Sequence, residues 1–156
     1  MKGTYLLIMH LDHALADLRI GQLGRFDFAA GYYLYVGSAF GPGGVPARLA
    51  HHARQQKERL RWHIDYLRVH TRIVETWSLL APLRLERSWA VALSQVPALS
   101  VPAPRFGASD DDGLSHLFYT PRRPPTRLLT QALLGWIAES DLAGPITLDI
   151  DTYEDR

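Results

Sequence analysis

Among its 156 residues the chain has no cysteine, which excludes disulfide frameworks, thiolate metal sites, zinc ribbons, thiol proteases and dithiol redox motifs together. Any bound metal must therefore rest on carboxylates or imidazoles. Long apolar runs are also missing: none approaches the roughly 20 residues of a membrane span. The opening Met1-Lys2-Gly3-Thr4-Tyr5 leads directly into a strand pattern rather than a secretory leader. The expectation is a cytoplasmic protein with no membrane partner. Net charge is small, +1, but that mean conceals a strong asymmetry. Residues 48–72 hold Arg48, Arg54, Lys57, Arg59, Arg61, Arg68 and Arg72 against only Glu58 and Asp65, while the end of the chain carries Asp149, Asp151, Glu154 and Asp155. The basic stretch reads either as a solvated helix face or as a phosphate-binding surface.

Several familiar motifs fail on inspection. The glycines from Gly37 to Gly44 are not followed by Gly-Lys-Ser/Thr, so they form no nucleoside-triphosphate loop, and no G-x-G-x-x-G follows a strand. Asp110-Asp111-Asp112-Gly113 resembles part of a calcium loop, yet its first and twelfth positions would be Ala108 and Tyr119, neither a proper ligand. His51-His52 lacks the H-E-x-x-H pattern.

What is present suits one domain with a real core, 47% of residues being hydrophobic. Tyr5–Met9, Leu18–Leu23 and Tyr32–Val36 read as strands, so the first third is a meander or hairpin set. Pro46 suits the first turn of a helix running to Gln56. Trp62, Tyr66 and Val69 have helical spacing, Arg72–Trp77 reads as a strand, and Leu85, Trp89 and Leu93 mark a buried helix stripe. After a proline-rich link, His116–Tyr119 is a short strand, and Leu128, Leu129, Ala132, Leu133, Trp136 and Ile137 form a further helical stripe, available as a dimer surface. From Gly144 onward the chain is a strand or a loose acidic tail.

The order of short motifs carries a resemblance. Gly3-Thr4-Tyr5 opens the first strand and Tyr35-Val36-Gly37 closes a later one, followed by Arg48 and His52 on one helix and Glu86 on another. This is similar to the GIY-YIG nuclease superfamily. Gly31-Tyr32-Tyr33-Leu34-Tyr35-Val36-Gly37-Ser38-Ala39, Trp62-His63-Ile64-Asp65, Phe106-Gly107-Ala108-Ser109-Asp110 and Ser115-His116-Leu117 resemble its Uri-like branch of small stand-alone proteins. The resemblance implies an α+β fold, a small and mainly antiparallel sheet flanked by helices. It implies a nuclease domain over residues 1–120, with a C-terminal helix and acidic tail over 121–156 packed on the same domain. Two departures accompany it. The signature tripeptides are unusually far apart, which places the strand around Leu18–Leu23 as an insertion between paired strands. Cysteines expected after Asp110 are replaced by Asp111, Asp112 and Gly113.

The implied activity is metal-dependent endonucleolytic hydrolysis of a phosphodiester, with nucleic acid as partner, DNA ahead of RNA, and Mg²⁺ or Mn²⁺ as cofactor. Such chemistry needs charge neutralised, water deprotonated and the leaving oxygen stabilised. Tyr5 and Tyr35, on adjacent strands, bring two phenols together, with Tyr5 the base candidate. A phenol of pKa about 10 serves that way only if positive charge lowers it. Arg48 and His52 are four residues apart and so share a helix face, about 6 Å apart. Arg48 offers a planar fork to the phosphate, and His52 is a phosphate ligand, a tyrosine partner or a proton donor, with His51 competing for the role. Ser38, Arg54 and His63 are candidate substrate contacts. Glu86 is the candidate metal ligand, with Glu75 as competitor, since flanks Ile73 and Trp77 place Glu75 on their own strand face. His116 reads as a structural residue and Asp65 as an acid orienting a histidine.

Overall fold

The computed structural model describes residues 2–54, 60, 62–81, 83–108, 113–135 and 147–153. Its strands are β1 (Gly3–Leu11), β2 (Leu15–Ile20), β3 (Gly24–Phe28), β4 (Gly31–Ala39), β5 (Arg72–Leu80), β6 (Leu117–Thr120) and β7 (Thr147–Thr152). Its helices are α1 (Gly44–Ala53), α2 (His63–Arg68), α3 (Glu86–Ser94) and α4 (Thr126–Leu134). Five strands form one antiparallel sheet in the order β6-β4-β1-β5-β7, and β2 and β3 form a separate hairpin. The fold is therefore the expected α+β arrangement.

β1 is central and buried on both faces, which explains why its sequence is almost uniformly apolar rather than alternating. Tyr5, Leu7, Met9 and Leu11 point to a core shared with Val45 of α1, Ile64 and Leu67 of α2, and Ile20 and Phe28 of the hairpin. Leu6 and Ile8 point the other way, to Leu85 just before α3, Trp89 and Leu93 of α3, and Leu129 and Leu133 of α4. The sheet thus separates two helix layers, and the predicted stripe of α3 is fully used. Leu129 and Leu133 are buried against the α3 layer, so they offer no dimer surface, whereas Leu128 is exposed; Trp136 and Ile137 lie outside the described residues.

The insertion between the signature strands is a hairpin, and β1 pairs directly with β4 across it, from Gly3↔Ala39 to Leu11↔Gly31. The strand read as Leu18–Leu23 ends at Ile20, because Gly21 takes φ +49° and Leu23 N–H returns to the Ile20 carbonyl at 2.9 Å. The returning strand β3 is not announced by its sequence. Its Gly24-Arg25-Phe26-Asp27-Phe28 is short and half polar, with only Phe28 fully buried.

α1 starts two residues before Pro46 and stops at Ala53, where Arg54 turns extended. At the opposite edge, Asp149 and Asp151 of the acidic C-terminal stretch belong to β7, paired with β5 from Leu80↔Thr147 to Glu75↔Thr152, while Glu154 and Asp155 lie outside the described residues. Glu75 itself is buried. It accepts from Trp77 Nε1 at 3.1 Å and pairs with Arg123 at 2.8 Å, so it is a structural ion pair and no rival to Glu86. The shared face with Ile73 does not hold either: a register shift sets Glu75 opposite Ile8 and Ile73 opposite Met9. Ile73 therefore packs with the α1 layer and Trp77 with the α3 layer.

Candidate active site

Strand pairing puts the two signature phenols on one sheet face. Tyr5 lies opposite Gly37 and Tyr35 opposite Leu7, and their ring centroids are 6.4 Å apart. Gly37 is required by this packing, since a Cβ there would lie 2.3 Å from the Tyr5 hydroxyl. The ring of Tyr5 crosses the space that any other side chain would fill.

α1 lies over the same face and delivers Arg48 and His52 from successive turns. The Tyr5 hydroxyl and His52 Nε2 are 2.7 Å apart, and the His52 ring lies 5.4 Å from that of Tyr5 and 6.0 Å from that of Tyr35. Arg48 stacks on Trp62, its Cζ 4.2 Å from the ring centre. Its charge favours ionisation of both phenols, but burial outweighs it: Tyr5 and Tyr35 are both pushed well above the ordinary phenol value, chiefly by desolvation. The condition set for Tyr5 as a free-standing base, a phenol lowered by positive charge, is not met. Whatever proton Tyr5 takes must be matched by one it passes on, and His52 is the group in reach.

His51 belongs to a second relay. Its Nε2 lies 2.9 Å from Asp65 Oδ1, and Arg54 Nη2 is 3.2 Å from its Nδ1. Asp65 is fully buried, and its other oxygen accepts the Trp62 backbone N–H at 2.9 Å. The acid at the third helical position thus starts α2 and orients a histidine, but that histidine is His51, not the adjacent His63. One donor atom from each of His51, His52 and Asp65 falls within 4.8 Å of the others, a spacing that can hold a metal ion. Arg54 at Nδ1 and Asp65 at Nε2 hold the His51 ring by hydrogen bonds, and Tyr5 holds that of His52 at Nε2.

His63 is spent on the backbone. Its Nδ1 accepts the Gly107 N–H at 2.8 Å and its ring packs on Phe106, so it anchors the loop before β6 instead of facing a substrate. Burial lowers its pKa from 6.5. The unfolded chain then takes up a proton below pH 6.5 that the folded chain refuses, so the stability His63 contributes is present above pH 6.5 and lost as pH falls. We expect His63→Gln, which still accepts from Gly107, to flatten that loss in denaturant titrations run across the range; an unchanged pH slope would refute the assignment.

Ser38 and two arginines of the basic stretch fall elsewhere. Ser38 lies opposite Thr4 on β4, and strand alternation puts it on the Leu34 and Val36 face, away from the phenols. Arg68, counted in the basic stretch, is buried and donates to the carbonyls of His52, Thr71 and Ala53. Arg72 faces Asp12 and His10 at the far end of β1. Lys57, Arg59 and Arg61, like Ser109 to Asp112, lie outside the described residues.

Glu86 opens α3, which is tied to β1 through the Leu85 N–H and Thr4 Oγ1 at 3.3 Å. Its side chain is 30% exposed, open to a hydrated cation, and its charge raises the pKa of both phenols. Sequence reasoning left out the residue beside it: His116 Nδ1 is 3.3 Å from Glu86 Oε1. The signal was the Ser115-His116-Leu117 motif, read there as structural. Phenols, guanidinium, imidazoles and carboxylate from β1, β4, α1, α3 and the β6 approach therefore converge on one region. Among the described residues no helix is long and apolar enough to cross a membrane.

Residues 4–136 match the family model described as Domain of unknown function DUF123, whereas no curated protein and no solved structure matches the chain. Because that match spans the central strands and the helices among the described residues, the protein belongs to the family Domain of unknown function DUF123.

Proposed function

We propose that this protein is a metal-dependent endonuclease of the GIY-YIG type, hydrolysing nucleic-acid phosphodiesters. The observation that carries the reading is the 2.7 Å contact between Tyr5 and His52, forty-seven residues apart, with Arg48 and Glu86 both acting electrostatically on the same phenol. Such convergence supplies a proton route, a phosphate clamp and an acid in one place.

Arg48, held over the Trp62 ring, presents its outer N–H groups to the phosphate oxygens. An attacking water loses a proton to the Tyr5 oxygen while the Tyr5 proton passes to His52 Nε2. This concerted transfer avoids a free phenolate, which burial makes costly. The water oxygen bonds to phosphorus, the phosphorus–oxygen bond to the leaving strand breaks, and the leaving oxygen takes its proton from solvent. Glu86 fits a hydrated divalent ion, being a partly exposed carboxylate; Mg²⁺ or Mn²⁺ held there supplies charge neutralisation at the phosphate and leaving oxygen. Arg54, exposed beside His51 at the end of α1, extends the phosphate contact, and binding of this kind weakens steeply with salt. The proposed substrate is DNA ahead of RNA.

Plasmid nicking and labelled-RNA cleavage with Mg²⁺, Mn²⁺ or chelator test the reading. Wild-type protein should nick only with metal, and Arg48→Ala and Glu86→Gln should fall to background. Equal activity in all three would defeat the catalytic assignment.

One observation favours a second reading. Tyr5 is only 1% exposed, which suits a phenol that braces the fold while the basic face binds nucleic acid without cutting. Salt-sensitive binding with no metal-dependent cleavage would establish that module instead.

A further inference from the structure

The pairing of Glu86 with His116 is unexplained by helix capping or core packing. An acid at the start of a helix is already favoured by the helix dipole, so it needs no imidazole for its own sake. His116 nevertheless is held with its Nδ1 3.3 Å from Glu86 Oε1, thirty residues away in sequence. Its backbone is clamped from two sides: its N–H donates to the Phe106 carbonyl at 2.8 Å, and its carbonyl accepts from Val36 at 3.0 Å. Gly107 closes a third side. A Cβ at that residue, whose φ is +75°, would come 3.2 Å from both His116 Cβ and Tyr35 Cε1. The same loop is tied to α2 through Gly107 and His63. Its position beside Tyr35 is therefore determined by backbone bonds and close packing.

An octahedral ion with bonds of about 2.1 Å holds neighbouring ligand atoms about 3 Å apart, close to the observed Oε1 to Nδ1 separation. The carboxylate is 30% and the imidazole 11% exposed at their side chains, so a hydrated cation can reach both. We propose that His116 is a second metal ligand beside Glu86, forming a carboxylate–imidazole site that binds Mn²⁺ in preference to Mg²⁺. The preference follows from donor chemistry: Mg²⁺ keeps to oxygen ligands and sheds water reluctantly, whereas first-row transition ions accept imidazole nitrogen. This rests on the reading of Glu86 as the metal acid, and it adds the second donor and the ion selected.

The test measures binding rather than cleavage. Mn²⁺ is titrated into the protein with and without competing Mg²⁺, which reports the Mg²⁺ affinity, and bound Mn²⁺ is followed by electron paramagnetic resonance, with nitrogen coupling read by spin-echo modulation. Wild-type protein should show imidazole nitrogen coupling. His116→Asn, which keeps a polar side chain of similar reach, should lose that coupling and bind Mn²⁺ about tenfold more weakly, with Mg²⁺ affinity little changed. His116→Ala provides a second variant, and circular dichroism confirms that each is folded. Nitrogen coupling and affinity unchanged in both variants would overturn the second ligand while leaving Glu86 in place. Mn²⁺ binding unchanged in Glu86→Gln would instead overturn the metal assignment on which it rests.

Discussion

Tyr5→Phe should reduce metal-dependent cleavage by about a thousandfold while the protein remains folded. Removing one oxygen keeps the ring that fills the space over Gly37, so packing is preserved. What disappears is the proton route. General acid–base participation is worth roughly 10²- to 10⁴-fold, and the Tyr5 hydroxyl lies 2.7 Å from His52 Nε2. The substitution also removes the 2.7 Å partner of a fully buried imidazole, which costs roughly 1–3 kcal/mol. These two effects separate the competing readings. If Tyr5 only braces the fold, the stability loss appears and cleavage measured well below the melting temperature is retained; if it carries a proton, kcat collapses at temperatures where the variant is intact. Single-turnover cleavage together with thermal denaturation distinguishes the outcomes, and retained kcat would remove Tyr5 from the chemistry.

Arg68→Met should cost about 3 kcal/mol of folding stability, lowering Tm by roughly 10 °C for a chain of this size. The side chain is 4% exposed and reaches the His52 carbonyl through Nε at 2.6 Å, the Thr71 carbonyl through Nη1 at 2.6 Å and the Ala53 carbonyl through Nη2 at 3.4 Å. The first and third acceptors are the last carbonyls of α1, which have no partner within their own helix. A guanidinium there both satisfies them and complements the negative end of the helix dipole. Methionine fills similar volume but leaves those acceptors buried and unmet. Because the clamp also sets the end of α1, cleavage should fall with stability as His52 loses its register against Tyr5. Denaturant melts with unchanged slope and a lower midpoint would bear this out; a loss under 1 kcal/mol would show that water replaces the guanidinium.

Much of this architecture was legible beforehand, and the reasons are local. The apolar run of β1 and the four-residue spacing of Leu85, Trp89 and Leu93 announce buried elements because periodicity reports burial directly. The failures have a different origin. Arg68 reads as one more cation in a basic stretch, since nothing local says that three carbonyls from two other segments close around it. Ser38 follows the signature tripeptide closely, yet a step of one residue along a strand reverses the face. Ile73 was paired with Trp77 by simple alternation, which the register shift opposite Ile8 and Met9 breaks. Glu75, an acid among apolar neighbours, has its charge answered by Arg123 forty-eight residues away. His116 was passed over for the same reason: its partner is thirty residues distant and on a different element.

Composition and pattern by themselves determined that this chain has no sulfur ligands, that Tyr5–Met9 is an apolar strand and Leu85, Trp89 and Leu93 a buried helix stripe, and that its signature tripeptides lie far apart. Each is a property of single segments, written in residue type and spacing. Only the tertiary structure decided which histidine meets Tyr5, that Asp65 orients His51, that burial and not Arg48 governs the phenols, and that Glu86 has an imidazole beside it. Those outcomes depend on distance and desolvation between segments far apart in the chain. Such quantities do not exist until strand register and helix placement bring the groups within a few ångströms and exclude water from around them.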